Sequence, residues 1–170
     1  MITLKINSNI RKIDELGRIV ITRDIRKKMH ILENDSLEIY IEDNAIKMEK
    51  YSIITDYRAT LDSLLDMTHR ITGNNYIIAD KIQIIASNNK DYIDTPSSQE
   101  IVNFISNKEP AIDLLQLHDK AYTSSEFNIL PLNIDSINQG VIIEFKRNGN
   151  DNLNLVKLLK NIIEKYLNNY

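Results

Sequence analysis

Between Tyr51 and Thr55 the hydrophobic period of the chain changes from two residues to about 3.5, and the two sides of that change must fold differently. Before it, the apolar residues come in short β-type runs: Lys5 to Ile13, Ile19 to Ile21, Ser36 to Glu42 and Ala45 to Tyr51. Asp14-Glu15-Leu16-Gly17 reads as a corner, because Gly17 can take a positive φ where a side chain would clash. Thr22 is the predicted N-cap of a short helix from Arg23 to Met29 with Ile25 and Met29 as its apolar face. Asp43-Asn44 joins the last two runs as a hairpin. Four strands this short cannot enclose a core alone, so pairing with a second copy is predicted.

After the change the pattern is longer and mixed. Ile54, Tyr57, Leu61, Leu64, Thr68 and Ile71 form a helical seam that fits either a short coiled coil or an amphipathic helix on its own sheet. Strands are predicted at Asn75 to Asp80, Ile82 to Ser87, Ala111 to Leu117, Glu126 to Asn133 and Gly140 to Lys146. A helix over Ser98 to Asn107 is expected to bury Ile101, Val102, Phe104 and Ile105. A terminal helix over Leu153 to Tyr166 carries Leu155, Leu159, Ile162 and Tyr166 on one face. This order describes an α/β sensor-like domain with one antiparallel sheet between helices, and the chain as a whole is α+β, or mixed. The predicted divisions are 1–52, a linker helix over 53–72, and a second domain over 73–170.

Charge follows the same division. The net charge of -3 argues against nucleic acid when taken alone. From Lys5 to His30, however, Lys5, Arg11, Lys12, Arg18, Arg23, Arg26, Lys27 and Lys28 face only Asp14, Glu15 and Asp24. The remaining chain is acidic, so the molecule is polar at the level of segments. No apolar run is long enough to span a membrane, and Met1 to Asn9 lacks a basic region followed by a long apolar stretch, so neither a membrane span nor a secretory signal is expected. With no cysteine, the chain has no disulfides or thiolate metal sites, which fits a reducing cytoplasm.

Catalytic signatures are missing. No phosphate-cradling GxxxxGK[ST], GxSxG or HExxH occurs, and the chain has four glycines. His30, His69 and His118 lack ligand spacing, so neither a metal nor a cofactor is expected. Asp14, Glu15 and Asp24 read as turn and helix-start electrostatics rather than a paired-carboxylate site. The expectation is a protein that is not an enzyme.

The run Arg11-Lys12-Ile13-Asp14-Glu15-Leu16-Gly17-Arg18-Ile19-Val20-Ile21, then Asp24-Ile25-Arg26, and again Asp35 to Glu42 through Lys50-Tyr51-Ser52, resembles the AbrB-type transition-state regulators. The likeness covers roughly residues 9 to 52. The longer layout resembles members of the SpoVT/AbrB family with a second domain. That resemblance implies an N-terminal swapped-hairpin β-barrel dimer that binds DNA, joined to a C-terminal GAF-like domain. It maps DNA-contact arginines onto Arg11, Arg18 and Arg26, with Lys27 in place of the second arginine of a pair, and Arg23 and Lys28 extend the patch. Guanidinium can bridge phosphate oxygens or read guanine, whereas Lys27 offers a less directional charge. The chain departs from the family at Thr22, where proline is usual, and at His30, where glycine is usual.

The expected function is DNA-binding transcriptional regulation of sporulation or stationary-phase genes by a dimer or tetramer acting on double-stranded DNA. Through the GAF resemblance, Tyr76, Tyr92, Phe104, Phe127 and Phe145 are candidates to line a pocket for an unidentified small molecule, or equally to fill a core. Two alternatives stand beside this. One is an antitoxin-type protein of the same N-terminal fold, although residues 53–170 are too apolar and patterned for a toxin-wrapping tail. The other is a ligand-sensing scaffold that does not bind DNA.

Overall fold

The computed structural model describes residues 10–29, 31–33, 35–118 and 120–168. The chain folds as two compact units, Met1–Tyr51 and Ser52–Tyr170. Lys5 to Asn9 of the first predicted strand, and His30, lie outside the described residues.

In the first unit the corner at Asp14 to Gly17 is closed by the backbone. Gly17 N donates to Asp14 O at 3.0 Å and Asp14 N donates to Arg18 O at 3.1 Å, with Gly17 at φ 75°. That is the geometry of a three-residue hairpin connection. The arms are not strands, however: residues 10–13 and 18–21 have no regular pairing. Ile10, Ile13, Ile19 and Val20 are exposed, and a lone two-stranded ribbon with no layer to pack on does not hold a ladder. Helix α1, Arg23–Lys28, starts at Thr22, whose side chain makes no cap hydrogen bond and whose Oγ1 is buried without a partner. Thr22 therefore holds the N-cap place by its extended backbone alone. Ile25 and Met29, the expected inner face, are exposed. Strands β1, Leu37–Glu42, and β2, Ala45–Lys50, form the predicted hairpin, with Asp43 and Asn44 both at positive φ. Its register pairs Ile39 with Met48 and Ile41 with Ile46 on one apolar face.

The second unit begins with α2, Ile53–Asp56, and α3, Arg58–Thr72, which break at Tyr57. The stretch 53–72 thus belongs to this unit, where α3 packs on β3, Asn75–Ala79, and β4, Ile84–Ser87. After α4, Gln99–Ile105, come β5, Leu114–Leu117, β6, Lys120–Thr123, β7, Phe127–Ile134, β8, Ile137–Phe145, and α5, Leu153–Leu167. The main sheet is antiparallel in the order β4-β3-β8-β7, while β5 and β6 form a separate ribbon.

Two apolar layers flank that sheet. One joins Leu61 and Leu65 of α3 and Val156, Leu159, Ile163 and Leu167 of α5 to Ile78, Leu132 and Ile142. The other joins Ile101 and Ile105 of α4 and Leu115, Leu117 and Tyr122 of the ribbon to Ile77, Ile143 and Phe145. Between α3 and the sheet, then, the amphipathic reading holds and the coiled-coil seam does not: Ile71 is exposed and Leu65 takes a core place. Likewise α5 is turned from its expected face, since Ile162 and Tyr166 face outward while Ile163 and Leu167 are buried. A Cβ at Gly140 would lie 2.8 Å from Ala79 O, so β8 needs glycine to approach β3 this closely.

Candidate nucleic-acid interface

The first unit buries little. Among its described residues Ile31 is the one that falls in the buried class. Ile31 N donates to Arg26 O at 2.8 Å, which ends α1 and folds the chain back. Asp35 then ties the exit to the hairpin: its Oδ2 accepts from Leu32 N at 2.9 Å and lies 3.1 Å from Lys50 Nζ. These contacts join α1 to the β1–β2 hairpin.

On that frame the candidate cations fall into two groups. Arg11 and Arg18 flank the corner, and Arg23, Arg26, Lys27 and Lys28 lie on α1; all six are exposed. Arg11 Nη1 donates to the neighbouring Ile10 O at 3.0 Å. The cations of α1 make no ion pair among the described residues, and three of them fill its last turn, where the helix dipole favours positive charge. The arrangement is open and densely positive, and suits the oxygens of a phosphate backbone.

Arg18 alone is held by a side chain. Its Nε donates to Asp14 Oδ2 at 2.7 Å, and its backbone N donates to Asp14 Oδ1 at 2.8 Å. Leu16 N also donates to that Oδ1, at 3.0 Å. The Arg18 amide, then the Arg18 guanidinium, hold the Asp14 carboxyl below the usual carboxylate range. An aspartate opening a turn with glycine three residues on was legible as turn chemistry; its grip on Arg18 Nε was not.

In the second unit the five aromatic candidates do not converge. Tyr76 belongs to the layer under α3 and α5, whereas Phe127 and Phe145, with Tyr92 and Phe104 against them, belong to the opposite layer. Tyr92 and Tyr122 share a hydroxyl contact of 2.9 Å, and desolvation followed by that bond pushes the Tyr92 phenol up to about 12. A cavity of about 340 Å³ opens nearby, lined by Thr95, Pro96, Ser98, Gln116, Leu117 and His118, none of them a candidate from the sequence. Sequence reasoning also missed a buried carboxylate. Glu144 accepts from Asn74 at 2.8 Å, Tyr76 at 3.0 Å and Asn128 at 2.7 Å. Among the described residues no cluster of His, Cys, Asp or Glu could hold a metal ion, and no helix is long and apolar enough to cross a membrane.

Similarity to known proteins extends over part of the chain. Over 100 residues the chain is 32% identical to stage V sporulation protein T of Bacillus subtilis (strain 168), which covers 56% of each protein. It is 46% identical over 48 residues to the transition state regulatory protein AbrB of the same organism, covering 28% of this chain and 50% of that one. To the putative transition state regulator Abh it is 40% identical over 42 residues, or 25% of this chain and 46% of that one. The chain thus spans about half the length of the curated relatives it matches. The solution structure of the N-domain of the transcription factor AbrB is 44% identical and matches 31% of this chain and 94% of that one, with a TM-score of 0.25. No family model matches.

Proposed function

Because the chain belongs to the SpoVT/AbrB family of transcription regulators, we propose that its first unit binds double-stranded DNA as a homodimer, with Arg11, Arg18, Arg23, Arg26, Lys27 and Lys28 as the contacting side chains. One observation carries this reading: a single unit combines six exposed cations with an apolar surface that it leaves uncovered. Ile39, Ile41 and Ile46 face outward from the hairpin, and Ile10, Ile13, Ile19 and Val20 from the corner's arms. A second copy would cover both groups and give the arms strands to pair with, as a swapped-hairpin barrel does. It would also double the cations on one face, which outweighs the acidic total locally.

The second unit supports self-association in this reading. Its antiparallel sheet with apolar layers on both faces is consistent with a GAF-like domain. Leu158 and Ile162 on α5, and Met67 and Ile71 on α3, are exposed apolar residues through which dimers would pair again as a tetramer. The cavity beside His118 has room for a small molecule. The names of the relatives favour sporulation or stationary-phase genes as targets and a cytoplasmic regulator with no catalytic role. The test is duplex binding by the full chain as salt is raised, with Arg18→Ala and Arg26→Ala beside the wild type. Binding that falls steeply with salt and weakens in both variants supports the reading, and no binding at low salt removes it.

A further inference from the structure

Asp14 is an anion in the middle of the basic patch, four residues from Arg18 and three from Arg11. By charge alone it weakens attraction to phosphate. Its oxygens are already committed, however. Oδ1 accepts two backbone amides, from Leu16 and Arg18, and Oδ2 accepts the inner nitrogen of the Arg18 guanidinium. The backbone of the same residue closes the turn at both ends, to Gly17 and Arg18. The anchor is therefore fixed by four hydrogen bonds before it grips the arginine.

What this leaves open on Arg18 is the outer end. Nε is used, and the two terminal NH2 groups have no partner among the described residues. Those groups form the flat fork that matches a pair of acceptors, either guanine O6 and N7 or two phosphate oxygens. The side chains are 42% and 72% exposed, so as a surface ion pair the contact contributes little to stability. Its effect is on direction: a long, flexible side chain is held by its inner nitrogen with its fork facing solvent.

We propose that Asp14 is a positioning residue that aims the terminal fork of Arg18 at DNA, so that removing an anion from this interface weakens binding. The proposal rests on the DNA-binding reading above. It makes a prediction opposite in sign to charge counting, which expects tighter binding when Asp14 is neutralised.

The experiment uses the full chain, a duplex selected by the wild type from a randomised pool, and a scrambled duplex of equal length. Asp14→Asn keeps an oxygen for the two amides but offers Nε a donor instead of an acceptor. The expected result is an affinity about tenfold weaker for the selected duplex. A loss confined to that duplex means that the fork reads base edges; an equal loss on both means that it grips phosphate. Asp14→Glu, with unchanged charge and a displaced carboxylate, is expected to weaken binding in the same pattern. In an Arg18→Ala background Asp14→Asn is expected to have no further effect, because it acts through Arg18. An Asp14→Asn chain that binds as well as or better than wild type overturns the proposal, as does an equal loss in the Arg18→Ala background, which marks a role in folding alone. If the wild type binds neither duplex, the DNA reading itself fails and this proposal with it.

Discussion

Asn74 Nδ2 donates to Glu144 Oε1 at 2.8 Å, joining the start of β3 to a fully buried carboxylate on β8. Asn74 also donates to Asn150 O at 2.6 Å and accepts from Arg147 N at 2.9 Å, so one side chain ties the end of α3 to the loop that precedes α5. A buried carboxylate without a cation depends on such donors. Asn74→Ala is therefore expected to destabilise the second unit by about 3 kcal/mol, measured as a lowered urea midpoint at unchanged slope. Glu144→Gln turns one acceptor into a donor facing amide donors and is expected to lower the midpoint as well.

Gly140 lies on β8 beside Val141, which pairs with Ala79 at the end of β3. A methyl group there meets the Ala79 carbonyl oxygen at 2.8 Å, a backbone atom that cannot swing away. Gly140→Ala is expected to cost about 1–3 kcal/mol through overpacking, read by thermal unfolding. An unchanged transition temperature would show that β8 and β3 can separate more easily than this packing implies.

Tyr92 links the ribbon to the sheet layer through Tyr122 and the ring of Phe145. Its phenol is pushed up to about 12 from an ordinary 10.0, first by desolvation and then by the Tyr122 hydroxyl. A raised acid of this kind contributes stability in full below the ordinary value, and that contribution is lost as pH rises through about 12. Tyrosinate absorbance of the wild type minus that of Tyr92→Phe is expected to show the late titration, and Tyr122→Phe should move it earlier.

Leu158 and Ile162 form an outward stripe on α5. In the tetramer proposed above, glutamate at both positions is expected to leave only dimers, seen by light scattering, with the unfolding midpoint nearly unchanged because neither side chain is in the core. A tetramer that persists would place the second contact elsewhere.

Much of the architecture was legible where local chemistry decides it. Asp43-Asn44 between alternating runs specified a hairpin whose two turn residues do sit at positive φ. Asp14 to Gly17 specified a corner for the same reason. The arms at 10–13 and 18–21 read as strands from their β-branched residues, but those residues are exposed and the arms form no ladder, because β propensity without a layer to pack on does not hold one. Helix α5 was misread in rotation because apolar residues line two of its faces, Leu159 and Ile163 inward and Leu158 and Ile162 outward, and periodicity alone cannot choose between them. Strand β6 buries Tyr122 alone, too little for a pattern. The Asp135-Ser136 turn before β8 has two residues at positive φ but no glycine to mark it. Burial of Glu144 has no local mark in the sequence, since Asn74 and Asn128 reach it from 70 and 16 residues away. At the candidate interface the cations could be listed from the sequence, but which of them a neighbour would hold could not.

In the function proposed above, exposed arginines and lysines of the first unit, doubled by a second copy, grip DNA. The most direct measurement is the dependence of duplex affinity on salt for the full chain. Neutralising about six or more phosphates predicts a roughly thousandfold or greater loss of affinity as salt rises from about 50 to about 200 mM. Arg26→Ala should reduce that slope while leaving the chain folded. A flat salt dependence, or a slope and affinity unchanged in Arg18→Ala and Arg26→Ala alike, would contradict the claim.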